Sequence, residues 1–311
     1  MVETQRTLAR PVEVEGIGLH SGSPARLTIN PAGSDQGIVF VRRDQGRREI
    51  PAAHASLQGS AFATTLASGN SAVSTVEHLL SALHGLGVDS ARIEVDGPEV
   101  PILDGSARPF VEPILAAGFR CLRAPRRYLT LRRPIAVSHG EKEIVAFPAN
   151  DFQATYAIDF PHPAIGYQTV TTSISESVYA SSIAPARTFC LLRDVEAMKR
   201  AGLARGGSLE NAVVVGEEGV LNRSLRFPDE FVRHKLLDLV GDLALVGSRL
   251  RAHVIVIKGG HRLHASLIGR ILASPAAWAM GTSEERLPAA HLRRFAHLMD
   301  RLVPHRVALT A

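Results

Sequence analysis

Apolar positions along the chain switch repeatedly between a period of two and a period of 3.6. To about residue 66, short alternating runs broken by Gly, Pro and Asn read as strands and turns. Val76, Leu79, Leu80 and Leu83 then share one helical face, which predicts a helix over 74–85. A strand over 91–95, a turn over 98–105 and a short helix over 109–117 follow. The alternation then repeats, with strands over 128–131, 144–147 and 154–160, a helix over 194–201 and a strand over 212–215. The longest predicted helix covers 229–249, and a buried-type strand over 253–257 leads through Gly259-Gly260 into a helix over 263–273. The polar stretch Arg123-Ala124-Pro125-Arg126-Arg127 reads as a linker near mid-chain. Strands and helices alternate, but hairpin-like spacings argue against a purely parallel sheet, so the expected class is α+β with two domains.

Three apolar elements carry polar intrusions. In Ser74-Thr75-Val76-Glu77-His78-Leu79, Ser74 and Glu77 match a capping box, in which Glu77 only satisfies a backbone donor. His78 shares a face with Ala82 and Gly85, small residues that admit a close neighbour; alone it reads equally as a core histidine. On the longest helix, His234, Asp238 and Asp242 recur at i, i+4 and i+8 as one stripe in an otherwise apolar sequence. Buried carboxylates need cations or donors, and side chains four apart stand about 5–6 Å apart at Cβ, which suits two ligands on one metal ion. An internal His–Asp hydrogen bond and a solvated face are the competing readings. The third intrusion, Lys258-Gly259-Gly260-His261, places a histidine at a strand–turn–helix junction, where catalytic residues often sit and where a plain loop would also expose one.

Two imidazoles and one carboxylate leave a zinc ion an open fourth position, the composition of a catalytic site. With His234 and Asp238 on one helix, His78 is the best candidate for the third ligand, and Glu77 beside it could act as general base on water. His261 is the obvious acid toward a leaving group. The chemistry read from these residues is metal-assisted hydrolysis, with the substrate open.

Composition narrows the setting. The chain has 311 residues, enough for about two domains of ~150 residues. Its two cysteines, Cys121 and Cys190, are too few for a disulfide scaffold and fit a reducing compartment. The first seven residues are polar, without the apolar core of a secretory leader, and no run reaches ~18 apolar residues. The expectation is a soluble cytoplasmic protein without a transmembrane segment. The net charge of +5 invites an anionic partner, but with 5% aromatic residues and scattered arginines nucleic-acid binding is not expected. Only four of the 35 basic residues are lysines, and two of these, Lys235 and Lys258, lie within three residues of His234 and His261. A compact ammonium there suits a phosphate or sugar oxygen.

Taken together, these segments resemble the UDP-3-O-acyl-N-acetylglucosamine deacetylases, the zinc amidases of lipid A biosynthesis. The resemblance spans nearly all of residues 4–275 and is carried by ordered motifs. They are Gln5-Arg6-Thr7-Leu8, Gly16-Ile17-Gly18-Leu19-His20-Ser21-Gly22, Ser74-Thr75-Val76-Glu77-His78-Leu79 and Glu99-Val100-Pro101-Ile102-Leu103-Asp104-Gly105-Ser106. Phe160-Pro161-His162-Pro163-Ala164-Ile165, Ala186-Arg187-Thr188-Phe189, Phe231-Val232-Arg233-His234-Lys235-Leu236-Leu237-Asp238 and Lys258-Gly259-Gly260-His261 complete them.

The resemblance implies hydrolysis of the N-acetyl amide of UDP-3-O-acyl-N-acetylglucosamine, the committed step of lipid A biosynthesis. It implies His78, His234 and Asp238 as ligands of zinc, or of iron(II) in the cell. It implies Glu77 as general base, His261 as protonated catalytic histidine, Asp242 as the carboxylate that orients and charges it, and Thr188 as oxyanion donor. Lys235 matches a side chain near the glucosamine and phosphate, Lys258 one near the diphosphate, and Phe160 and Phe189 aromatics against the sugar and uracil. Two similar α+β domains are implied, 1–125 and 126–275, each a sheet packed with helices and the active site between them, followed by a tail, 276–311. Each domain is expected to carry an insert; that around 190–212, with Leu191, Leu192, Val195, Met198, Leu203 and Leu209, would form an apolar passage for the acyl chain. The UDP-linked acyl-sugar is the one partner implied, with no obligate protein partner.

This chain departs from the family where His264 stands for the usual Asn, where Cys190 replaces a small Gly after Thr-Phe, and in its tail, where Leu287, Leu292, Phe295, Leu298 and Leu302 suggest an added amphipathic helix. The competing reading is a non-catalytic UDP-sugar or lipid-binding homologue, against which the retention of all three ligands, Glu77 and His261 argues.

Overall fold

The computed structural model describes residues 2–302. Strand β1 (Thr4–Leu8) is followed by a hairpin of β2 (Val12–Ile17) and β3 (Pro24–Pro31) and a second of β4 (Ile38–Arg42) and β5 (Arg48–Pro51). A small sheet of β6 (Leu57–Gly59), β7 (Thr65–Ser68) and β8 (Ser71–Val73) precedes helix α1 (Glu77–Gly85), strand β9 (Ala91–Asp96) and helix α2 (Arg108–Ala117). Strand β10 (Phe119–Pro125) then pairs antiparallel with β1.

The second half enters through β11 (Tyr128–Leu131) and forms two hairpins, β12 (Ile135–His139) with β13 (Lys142–Pro148), and β14 (Gln153–Phe160) with β15 (Gly166–Ser173). A short helix α3 (Glu176–Val178) widens into a π turn over Tyr179–Ile183. The insert β16 (Phe189–Leu191), α4 (Leu192–Arg200), β17 (Val213–Gly216) and β18 (Gly219–Val220) comes next. Helix α5 (Glu230–Leu243), strand β19 (Arg249–Ile257), helix α6 (His261–Leu272), β20 (Trp278–Gly281) and α7 (Ala289–Leu302) complete the order.

The two halves share one topology. The first sheet runs β2-β3-β9-β4-β5, and the second contains β12-β13-β19-β14-β15. In each, the late central strand enters between two hairpins, antiparallel to the end of the first (β3, β13) and parallel to the start of the second (β4, β14). Each central strand is preceded by a helix, α1 or α5, and followed by another, α2 or α6. Period-two burial explains the sheets: β9 buries Ala91, Ile93 and Val95 and leaves the residues between them half-buried. One hydrophobic core runs through both halves, from Leu8 and Phe40 to Phe231, Leu267 and Ile271.

Helices α1 and α5 pack face to face across the junction of the halves. A Cβ on Gly241 would collide with the Glu77 carbonyl oxygen, so the approach depends on a bare backbone there. The Ser81 hydroxyl donates to the Leu237 carbonyl (2.8 Å) and accepts from the Tyr179 hydroxyl (2.8 Å), pinning the same crossing. Gly241→Ala is therefore expected to cost about 1–3 kcal/mol, because backbone and not a flexible side chain must move. It should also lower kcat, since it separates Glu77 and His78 from His234 and Asp238. Chemical denaturation and turnover of the same preparation check both.

Several expectations need correction. Residues 123–125 are not a free linker but the end of β10, and the Arg126 that follows is buried, its guanidinium on Asp89 (2.9 Å) and the Gly87 carbonyl (2.8 Å). The longest helix stops at Leu243, with a 3-10 turn over Ala244–Val246 and Gly247 at φ 80° ending it, so 249–252 begin β19. The tail does form a helix, but Phe295 and Met299 are its contacts with Val145, Phe147 and Ile255, whereas Leu287 precedes it and Leu298 is exposed. The Leu302 side chain and residues 303–311 lie outside the described residues. Phe295→Ala is expected to lower stability by about 1–2 kcal/mol without changing kcat, as urea denaturation and turnover would show. No helix among the described residues is long and apolar enough to cross a membrane.

Candidate active site

A cavity of about 820 Å³ opens at the crossing of α1 and α5. Glu77, His78, Thr188, His234, Asp238 and His261 meet at its polar end, and Lys235, Phe160 and Phe189 also line it. Leu191, Leu192, Val195, Met198, Leu203 and Leu209, the residues expected to form a passage, line its apolar part. Asp242 lies behind His261, and Lys258 is not on the wall: its ammonium pairs with Asp159 (2.9 Å) and Glu141 (3.3 Å).

His78 comes from the first turn of α1, while His234 and Asp238 stand one turn apart on α5. Their Nε2 atoms approach the same oxygen, Asp238 Oδ1, at 3.7 and 3.4 Å. That oxygen is buried and has no hydrogen-bond partner among the described residues, whereas Oδ2 accepts from Lys235 Nζ at 2.7 Å. His234 Nδ1 lies 3.0 Å from the Ala186 carbonyl, which can only accept, so the ring proton sits on Nδ1 and the Nε2 lone pair faces Asp238. Burial, against the pull of Asp238, takes His234 down to about 4, so the imidazole is neutral and able to ligate. Burial opposes ionisation of Asp238, yet His234, Lys235 and His261 hold it well below the carboxylate range. Two imidazoles and a carboxylate around an orphaned oxygen form a donor set that fits a divalent metal.

Glu77 is not a helix cap: the α1 cap position, Val76, has no side-chain cap, and the Ser74 hydroxyl bonds to the Pro98 carbonyl instead. The Glu77 carboxylate is buried and accepts from the Thr64 amide at 2.9 Å. Burial raises its pKa, with Asp242 and Asp238 adding to the rise and His261 and His78 opposing it.

His261 is the first residue of α6, not an exposed loop residue, and its Nδ1 lies 2.7 Å from Asp242 Oδ2. Burial alone would push this imidazole down, but Asp242, Asp238 and Glu77 overrule it and raise it to about 9. It therefore carries a proton at neutral pH, with Nε2 3.8 Å from Asp238 Oδ2. Asp242 resists burial in the same way, held ionised by His261 and by its hydrogen bonds to His261 and His264. Asp242, His261 and His264 also stand close enough to hold an ion, but both imidazole Nδ1 atoms are bonded to Oδ2 and the Thr64 hydroxyl donates to Oδ1 at 2.6 Å. The atoms of that group that face one another are already bonded, so it is a hydrogen-bond network.

The wall carrying Thr188 is tied to α5. Arg187 makes a two-pronged ion pair with Glu230 (2.8 and 3.0 Å) at the start of that helix. The Thr188 amide donates to the Gly105 carbonyl at 2.8 Å. Gly105 has φ 82°, and a side chain there would strike the Asn211 carbonyl. Phe189 stacks edge-on with Phe160 (5.5 Å) and Phe231 (5.0 Å), and Lys235 Nζ lies 5.9 Å from its ring. Three participants escaped sequence reasoning: Thr64, which holds both Glu77 and Asp242; Tyr156, whose hydroxyl is 3.2 Å from His264 Nε2; and the bond of His264 to Asp242 (2.8 Å).

The family model described as "LpxC: UDP-3-O-acyl N-acetylglycosamine deacetylase" matches residues 5–273. The UDP-3-O-acyl-N-acetylglucosamine deacetylase of Anaeromyxobacter dehalogenans (strain 2CP-C) is 48% identical over 274 residues, covering 88% of this chain and 89% of its own. That of Myxococcus xanthus (strain DK1622) is 45% identical over 284 residues, 91% and 90% of the two chains. That of Bdellovibrio bacteriovorus (strain ATCC 15356 / DSM 50701 / NCIMB 9529 / HD100) is 43% identical over 276 residues, 88% and 91%. With a matched model across most of its length and relatives at this level of identity, the chain belongs to the LpxC family of UDP-3-O-acyl N-acetylglycosamine deacetylases.

Proposed function

We propose that this chain hydrolyses the N-acetyl amide of UDP-3-O-acyl-N-acetylglucosamine, giving UDP-3-O-acyl-glucosamine and acetate. The observation that carries the reading is the unsatisfied Asp238 Oδ1, faced by His78 and His234 and set between Glu77 and His261 at the polar end of an apolar cavity. His78, His234 and Asp238 would hold a divalent ion, zinc by the donor set, with iron(II) also compatible. When bound, such an ion supplies Lewis-acid chemistry, polarising a carbonyl and easing the deprotonation of water.

Glu77, buried and raised, takes a proton from the attacking water as its oxygen bonds to the acetyl carbon. Thr188 lines the same cavity, and its hydroxyl donates to the oxygen on which negative charge develops. His261 enters the reaction protonated, stabilises that charge and gives its proton to the glucosamine nitrogen as the C–N bond breaks. Asp242 keeps its imidazole charged and aimed. Lys235 serves the glucosamine and phosphate end, and Phe160 and Phe189 pack against the sugar and uracil. Lys258 serves the diphosphate by exchanging Asp159 and Glu141 for phosphate oxygens. Leu191, Val195 and Met198 hold the acyl chain.

Acetate release from UDP-3-O-acyl-N-acetylglucosamine substrates of graded acyl length tests this. The expected result is release that a chelator abolishes, that added metal restores and that falls when the acyl chain is removed. No release by metal-loaded protein, or release indifferent to chelator, would refute the assignment.

A further inference from the structure

His264 stands one turn beyond His261 on α6 and is completely buried. Its Nδ1 lies 2.8 Å from Asp242 Oδ2, the oxygen that also receives His261 Nδ1 at 2.7 Å. Its Nε2 lies 3.2 Å from the hydroxyl of Tyr156, a fully buried residue of β14. An ionised carboxylate only accepts, so His264 Nδ1 carries a hydrogen. Burial lowers the His264 pKa despite Asp242, so the ring is neutral and its Nε2 is an acceptor. Burial raises the Tyr156 hydroxyl well above its ordinary value, so it keeps its proton and donates it to Nε2. A directed chain results: Tyr156 O–H to His264 Nε2, and His264 Nδ1–H to Asp242 Oδ2.

Apart from His264, the Asp242 carboxylate is held by Thr64 on Oδ1 and by His261, the group it must aim, on Oδ2. His261 is the group that moves a proton in the reaction proposed above, and its aim depends on that carboxylate. We propose that His264 and Tyr156 form a positioning pair: Tyr156 holds the His264 ring through Nε2, and His264 holds the Asp242 oxygen that aims His261 into the cavity. Neither side chain lines the cavity, so they act through Asp242 and the His261 ring that His264 meets edge-on. The inference rests on the reaction assigned to the site, but the tautomer it requires can be read without turnover.

The test compares His264→Asn, His264→Leu and Tyr156→Phe in the metal-loaded enzyme. The amide nitrogen of asparagine occupies nearly the place of imidazole Nδ1, so His264→Asn should keep kcat within about threefold. His264→Leu removes the donor and should lower kcat about tenfold or more, with KM and metal content unchanged. Tyr156→Phe should lower kcat in the parent but not in the His264→Asn background, because asparagine offers Tyr156 no ring nitrogen to hold. Nitrogen-15 spectra of the parent imidazoles should show one neutral ring protonated on Nδ1, absent from His264→Asn and, in Tyr156→Phe, kept on Nδ1 with its Nε2 resonance shifted by the lost hydrogen bond. Equal loss in the Asn and Leu variants, or a Tyr156 effect of the same size in both backgrounds, would overturn the pairing. An Nε2-protonated His264 would overturn it even if the substrate assignment failed. Should the Leu variant not fold, the Tyr156→Phe cycle and the spectra decide.

Discussion

Asp238→Ala is expected to remove metal from the purified protein and to lower deacetylation by at least on the order of 1000-fold. Asp238 is the one carboxylate of the three-residue donor set, and its Oδ1 is the atom on which both imidazoles converge. Losing an outer partner of a metal ligand costs about 10–100-fold in affinity, so losing the carboxylate itself should cost more. The same change leaves Lys235 without its 2.7 Å partner and removes one of the charges that hold His261 protonated. Excess metal should therefore not restore full turnover. Stability should fall as well, because the fold holds Asp238 ionised more favourably than the unfolded chain does, and its loss leaves Lys235 and His261 without that partner. Elemental analysis beside acetate release decides the matter, and full metal content in the alanine variant would remove Asp238 from the donor set. Asp242→Asn is the control, since its carboxylate orients His261 and should be dispensable for metal.

The polar stripe was legible because helical spacing converts sequence into a shared face: His234, Asp238 and Asp242 could hardly diverge once α5 formed. The partner on α1 was less legible. His78 alone could have been a core residue, and the capping box offered Glu77 a local role that the structure denies it: Ser74 bonds elsewhere and Thr64 claims the carboxylate. Thr64, 13 residues before Glu77 and 178 before Asp242, meets both only through tertiary packing, and no local pattern encodes that. Periodicity also overran the end of α5, because Leu243-Ala244-Leu245-Val246 stays apolar and only the left-handed Gly247 stops it. Residues 123–127 read as a linker because β10 is mostly exposed and the burial of Arg126 depends on Asp89, distant in sequence.

The shared topology of the halves explains why the site assembles where it does. Each half presents the helix before its central strand, and the two helices cross with their polar intrusions facing one another. The first half supplies Glu77 and His78; the second supplies His234, Asp238 and, through the helix after its central strand, His261. The proposed base and acid are thus held by different halves, and the distance between them is set by one helix crossing and the bare backbone of Gly241.

Glu77→Gln tests the base without disturbing that crossing. Glutamine keeps a carbonyl oxygen to accept from the Thr64 amide, as Glu77 does at 2.9 Å, and has nearly the same volume. What it lacks is the ability to take a proton. A positioned general base contributes about 100–10,000-fold, so kcat is expected to fall on the order of 1000-fold with KM little changed. Metal content should stay at the parent level, in contrast to Asp238→Ala. Stability should move the opposite way from activity. Burial raises the folded-state pKa of Glu77 above that of the unfolded chain, so the folded protein binds the proton more tightly, and stability is lost as pH rises through that window. The neutral amide carries no such cost, so the metal-free variant should melt no lower than the metal-free parent at neutral pH and should show a shallower loss of stability from acid to neutral pH. Wild-type kcat in the glutamine variant would show that another group accepts the proton; a lowered melting temperature would show that the kinetic loss came from structure and not from the missing carboxylate.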